Sequence, residues 1–224
     1  MGYYIDLKKI SIEEFQETLK TADLLPSHMI LRTDIEENFN RIQDQEIENV
    51  EELRLVLRSK SKLQDFSELS GISEEYLKIL IRNINGYRQK PNLIKEFPGV
   101  PDDVVQRLER LGIKNTLQLF DRVLTPNSRK ELSDQAGTSE PDILWLAKLS
   151  DLSRIRWVNH TFAYVLLEAG YDTAQKVADA DHLELYEKVK RLNEARQIYN
   201  AHIGVHDMKL CVESAQALAL DIEY

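Results

Sequence analysis

Apolar residues recur at three- and four-residue steps along almost the whole chain, and the strict alternation of a half-buried strand is hard to find. Val104, Val105, Leu108 and Leu111 form one such stripe, and Phe162, Val165, Leu166 and Ala169 form another. Polar punctuation agrees with this pattern. Ser11 with Glu14, Thr33 with Glu36, and Ser128 with Glu131 have capping-box spacing, in which hydroxyl and carboxylate satisfy the orphan amides of a helix start. Gly112 and Gly170 each follow an apolar helix, where glycine takes the left-handed backbone conformation cheaply. The pattern predicts an all-α protein.

The stripes repeat. A shift of 66 residues places Arg41 on Arg107, Ile47 on Ile113, Asn49 on Asn115, Leu53 on Leu119, Ser67 on Ser133, Gly71 on Gly137 and Ser73 on Ser139. A third copy follows with a gap: Val100, Leu108 and Gly112 match Val158, Leu166 and Gly170 at a shift of 58, and Gly137 then matches Gly204 at 67. The difference predicts an insertion near Ala178–Glu187. The reading is three tandem units, 24–92, 93–150 and 151–224, after an N-terminal cap over 1–23 that holds a helix near Ser11–Lys20.

Between helices the chain repeats one short form: apolar or small, any residue, glycine, apolar, helix starter. It occurs as Leu69-Ser70-Gly71-Ile72-Ser73, Phe97-Pro98-Gly99-Val100-Pro101, Gln135-Ala136-Gly137-Thr138-Ser139 and His202-Ile203-Gly204-Val205-His206. The repeat adds Ile155-Arg156-Trp157-Val158-Asn159, with Trp157 at the glycine position. In this form glycine permits the turn, the next residue plugs the core and the last caps the following helix.

These hairpins resemble the helix-hairpin-helix superfamily, which includes DNA-binding segments of ligases, repair nucleases and topoisomerases. Paired hairpins joined by a connector helix, as over Phe97–Ser139, look like the doubled form of that fold. The run from Leu152 to Thr173, with Leu185-Tyr-Glu-Lys-Val189, resembles a bacterial family of unknown function, number 4332 among such domains. That likeness covers 149–219 well and 93–150 moderately, while 24–92 rests on the internal repeat. It implies a fold and no reaction. In DNA-holding relatives two glycines flank the apolar hairpin residue, letting backbone amides approach a phosphate. Here the second glycine is replaced by Ser73, Pro101, Ser139, Asn159 and His206, and Pro101 also removes an amide. The turns then read either as joints between packed helices or as weakened phosphate readers.

Composition narrows the function classes. The net charge is −9, the wrong sign for a generic polyanion binder, but it is uneven. Residues 1–53 carry a net −8 and residues 54–95 a net +5, densest at Arg54, Arg58, Lys60 and Lys62. That band reads as a solvated helix face or as a nucleic-acid contact. A single cysteine, Cys211, excludes an internal disulfide and any site with two cysteine ligands. No apolar run has membrane-spanning length, and no secretion signal opens the chain, so the expectation is a cytoplasmic protein with no membrane contact.

One hairpin gathers unusual chemistry. Arg154, Arg156, Trp157, Asn159 and His160 bring two guanidinium groups, an indole, an amide and an imidazole into seven residues. They read either as a stacking or hot-spot patch, or as a Trp folded into the core with arginines paired to nearby acids. Catalytic patterns are poor. No phosphate loop or nucleophile elbow is present, and Gly204 interrupts the His202/His206 spacing. The expectation is a non-catalytic binding or scaffold protein without metal or cofactor, acting on a protein partner or on itself. Sequence-independent nucleic-acid binding through the hairpins and basic segments is the alternative.

Overall fold

The computed structural model describes residues 2–88 and 90–224; Met1 and Gln89 lie outside the described residues. Helices follow one another throughout, and among the described residues no β-strand forms beyond two isolated bridges, Ser11 with Asn49 and Leu93 with Asn115. The chain divides into two compact units, Ile5–Arg88 and a second made of Met1–Tyr4 with Gln89–Tyr224.

The first unit holds α1 (Ile12–Thr21), α2 (Ile35–Gln43), α3 (Val50–Val56), α4 (Lys60–Ser70) and α5 (Glu74–Asn85). The Ser11–Glu14 capping box starts α1 as its spacing predicts. The other two boxes differ. Thr33 ends a 3-10 turn, and α2 starts from Asp34, which takes a left-handed conformation without a side-chain cap. In the second unit a helix begins at Pro126 with Thr125 as its cap, three residues before the expected position, because proline suits the first helical turn. Phe15, Phe39, Ile42, Leu53, Leu77 and Leu80 fill the core of the first unit. Phe15 and Phe39 pack 6.1 Å apart between ring centres, and the Tyr76 hydroxyl donates to the Leu31 carbonyl at 3.1 Å. Burial raises the Tyr76 pKa, so the phenol stays a donor.

The second unit holds α6 (Asp102–Arg110), α7 (Thr116–Phe120), α8 (Pro126–Ala136), α9 (Glu140–Leu152), α10 (His160–Glu168), α11 (Ala174–Ala178), α12 (His182–Arg196) and α13 (Val205–Gln216). Helix α9 packs against α7, α8 and α10, and α13 packs against α11 and α12. Tyr3 belongs here too: its hydroxyl meets Thr116 Oγ1 at 2.6 Å.

Turn geometry recurs at matching places. Glu46, Gly112 and Gly170 have φ of 58°, 79° and 91°, and Gly71, Gly137 and Gln197 have 70°, 63° and 50°. Gln197, not Gly204, is therefore the left-handed residue that ends α12; Gly204 has φ −116° and starts α13. The extra length expected near Ala178–Glu187 lies in α12 and after it instead. Helix α12 has 15 residues against 11 in α4 and α8, and an extended connection follows it to Gly204. A Cβ at Gly112 would meet nothing within 4 Å, so its left-handed backbone is the sole penalty for a side chain. Gly112→Ala is expected to lose about 1–2 kcal/mol in urea unfolding, and Glu46→Gly to shift stability the opposite way.

Candidate functional site

Two hairpins are closed by their own chain. In the Gly71 hairpin Arg41 Nη1 donates to the Gly71 carbonyl at 2.8 Å, and Ser67 Oγ donates to the Ile72 carbonyl at 2.5 Å. The Gly137 hairpin repeats this: Arg107 bonds to the Gly137 carbonyl, and Ser133 Oγ donates to the Thr138 carbonyl at 2.7 Å. Three of the five residues standing where a second glycine would lie serve as side-chain helix caps, while Pro101 makes no side-chain cap and His206 lies within α13. Ser73 accepts from the Tyr76 amide, Ser139 from Asp142 and Asn159 from Phe162. Each cap takes up a helix-start amide that a phosphate would otherwise meet.

The Gly99 hairpin is built differently. Gly99 has φ 82° and is exposed, with its Cβ position 3.7 Å from the edge of the Trp145 indole. Val100 is half-buried rather than a full core plug, Phe97 is buried, and Pro101 starts α6 without a side-chain cap. This hairpin adjoins the next one. Phe97 and the His160 ring meet edge to face at 6.3 Å, and His160 Nδ1 lies 3.7 Å from Glu96 Oε2.

At the Trp157 hairpin the five residues separate into two groups. Ile155 and Val158 are buried and anchor the turn. Trp157 is 43% exposed at φ 68°, the left-handed conformation that Gly99 takes in its own hairpin. A bulky residue at such a φ is an outlier held by its surroundings, at a cost of about 1–3 kcal/mol. The Arg156 guanidinium stacks 4.3 Å from the Trp157 ring centre. Trp157 and Arg156 thus form one surface, while half-buried His160 faces Phe97 and Glu96 and Asn159 is committed to capping α10.

Arg154 does not join that surface. Its side chain is 1% exposed, its Nε and Nη2 donate to Asp151 Oδ1 at 3.1 and 2.7 Å, and it lies 4.6 Å from the Phe120 ring centre. Asp151 also accepts from the Ala174 amide at 2.9 Å and the Tyr224 hydroxyl at 3.0 Å. Burial and the Asp151 charge both raise the Tyr224 pKa, keeping that phenol protonated as a donor. Asp151 and Tyr224 were not singled out by sequence reasoning. The available signal was an acid inside the apolar run Ile143–Leu152, three residues before an arginine.

The basic band also divides. Arg54 is held in a two-pronged bond by Glu51, at 2.8 Å on each side, and this bond lowers the Glu51 pKa. Arg58, Lys60 and Lys62 are exposed around the start of α4, and none forms an ion pair with another described residue. Elsewhere, burial raises the Cys211 thiol to about 12, which makes it a poor nucleophile. Among the described residues no group of three or more His, Cys, Asp or Glu could hold a metal ion, and no helix is long and apolar enough to cross a membrane.

The fold and site together define an all-helical protein with short hairpins between its helices. The family model described as Domain of unknown function (DUF4332) matches residues 98–218, and the chain belongs to that family. No curated protein and no solved structure matches the chain.

Proposed function

We propose that this chain is a non-catalytic binding protein built from three tandem helix-hairpin-helix units behind a capping helix, and that the Trp157 hairpin is where it holds a protein partner or a second copy of itself. The observation that carries this reading is Trp157: an exposed indole, stacked by Arg156, held in a strained backbone conformation at a position where the repeat uses glycine. Tryptophan and arginine dominate the energetics of protein interfaces, and strain held by rigid surroundings is a mark of functional sites. The tandem arrangement is supported by the recurring left-handed turns and by the matched Arg41 and Arg107 bonds. The test is photo-crosslinking in cells with benzoylphenylalanine placed at 157. A discrete adduct that is absent when the same group replaces Leu69, which is 73% exposed, is the expected result. Equal labelling at the two positions contradicts the reading.

Nucleic-acid binding is a second reading, favoured by the exposed Arg58, Lys60 and Lys62 around the start of α4. It gains nothing from the hairpins at Ser73, Ser139 and Asn159, whose side chains cap the helix starts that follow them. If it holds, anisotropy of labelled single-stranded DNA falls by orders of magnitude in affinity between about 50 and about 200 mM salt. Lys60→Glu with Lys62→Glu should then flatten that salt slope by about 2. Salt-independent or absent binding removes this reading.

A further inference from the structure

Residues 219–224 have no regular secondary structure, yet they lie against the base of the Trp157 hairpin. The Ala219 carbonyl accepts from Arg154 Nη2 at 2.9 Å, Asp221 Oδ2 stands 3.8 Å from Arg154 Nη1, and the Tyr224 hydroxyl donates to Asp151 at 3.0 Å. Farther out, the Glu223 amide donates to the Leu124 carbonyl at 2.8 Å, and the Arg129 guanidinium lies 5.8 Å from the Tyr224 ring centre. Ile222 is buried, while Leu220 and Tyr224 remain about half exposed. This segment is therefore held by a few separate contacts, the profile of an element that opens locally.

Its contacts converge on Arg154 and Asp151. Arg154 belongs to the turn that sets Trp157: the Arg154 amide donates to the Asp151 carbonyl at 3.1 Å, Ile155 to Leu152 at 3.1 Å and Val158 to Ile155 at 3.1 Å. Arg154 Nη1 and Asp221 Oδ2 are buried, face each other at 3.8 Å and have no hydrogen-bond partner, so the closure is incomplete at that point. A buried charge network with an imperfect link is a place where two packings can lie close in free energy.

We propose that residues 219–224 are a releasable strap that holds the Trp157 hairpin in its strained conformation. With the strap seated, Arg154 is covered and Trp157 is presented in one pose with Arg156. When the strap lifts, Arg154 is uncovered beside Arg156 and the turn relaxes, which changes the surface offered to a partner. The strap would thus regulate the binding site, and this role rests on the reading of that hairpin as the interface.

The test is hydrogen exchange on the 224-residue chain carrying Tyr224→Phe, and separately Asp221→Asn, followed in parallel with acrylamide quenching in a Trp145→Phe background, where Trp157 is the one remaining tryptophan of this sequence. The expected result is exchange about tenfold faster at the Arg154, Ile155 and Val158 amides, with unchanged rates in α6 and α7 and stronger quenching of Trp157. Faster exchange confined to 219–224 overturns the coupling. Uniform acceleration through α6 and α7 also overturns it, because the segment is then ordinary core. No partner is needed, so a failed crosslink at position 157 and a failed strap remain distinguishable.

Discussion

Asp151→Ala is expected to destabilise the second unit by about 3–5 kcal/mol, the penalty for leaving one member of a buried ion pair without its counter-charge. Four bonds converge on this carboxylate: two from Arg154, one from the Ala174 amide and one from the Tyr224 hydroxyl. Its loss leaves the Arg154 guanidinium 1% exposed over the Phe120 ring, with the Ala219 carbonyl and a distant Asp221 as remaining acceptors. Asp151→Asn should lose less, because an amide oxygen still accepts although the charge is gone. Removing both charges with Asp151→Asn and Arg154→Met should fall short of the sum of the single losses. Urea unfolding followed by tryptophan fluorescence reads the right unit, since Trp145 and Trp157 both lie within it. An Asp151→Ala loss below about 1 kcal/mol would place the pair among surface salt bridges.

The second large effect concerns binding. Trp157→Gly is expected to weaken partner binding by about 2 kcal/mol or more, about 30-fold, the range of a tryptophan hot spot. The same substitution should change folding stability by less than about 1 kcal/mol. Glycine relieves the left-handed strain at φ 68° but gives up the stacking with Arg156 and the buried part of the indole, and these contributions are of similar size. A core tryptophan would behave otherwise, with truncation destabilising by about 3–5 kcal/mol. The combination of a large binding loss and a small folding change is what separates an interface residue from a packing residue.

Much of the local architecture was legible along the chain. Ser11, Ser73, Ser139 and Asn159 cap helices because their short polar side chains reach the nearby amides, an interaction local in sequence. The match of Arg41 with Arg107 and Gly71 with Gly137 reflects one hydrogen bond formed twice. Where local competitors exist, the reading shifted. Pro126 drew the start of α8 to Thr125 ahead of Ser128, and α12 ends on Gln197 although Gly204 has the more permissive backbone. Glutamine carries no compositional mark for a left-handed turn.

The candidate site was half legible for the same reason. Trp157 stood out because the repeat placed it over a glycine, and the structure finds it in a glycine-like conformation. Arg154 and Arg156 look alike in sequence yet have opposite fates. Arg154 is claimed by Asp151 and by Ala219, 65 positions away, while Arg156 stacks on its neighbour. The Tyr224–Asp151 bond spans 73 positions, and no periodicity or motif announces such a pairing.

The measurement that bears most directly on this chain as a binding protein is quantitative proximity labelling in cells of the wild-type chain beside Trp157→Gly, matched for expression. The expected result is at least one neighbour, or the chain itself, lost from the variant while circular dichroism and urea unfolding stay near wild type. An unchanged set of neighbours, with the variant folded, would contradict the assignment of the Trp157 hairpin as the binding surface.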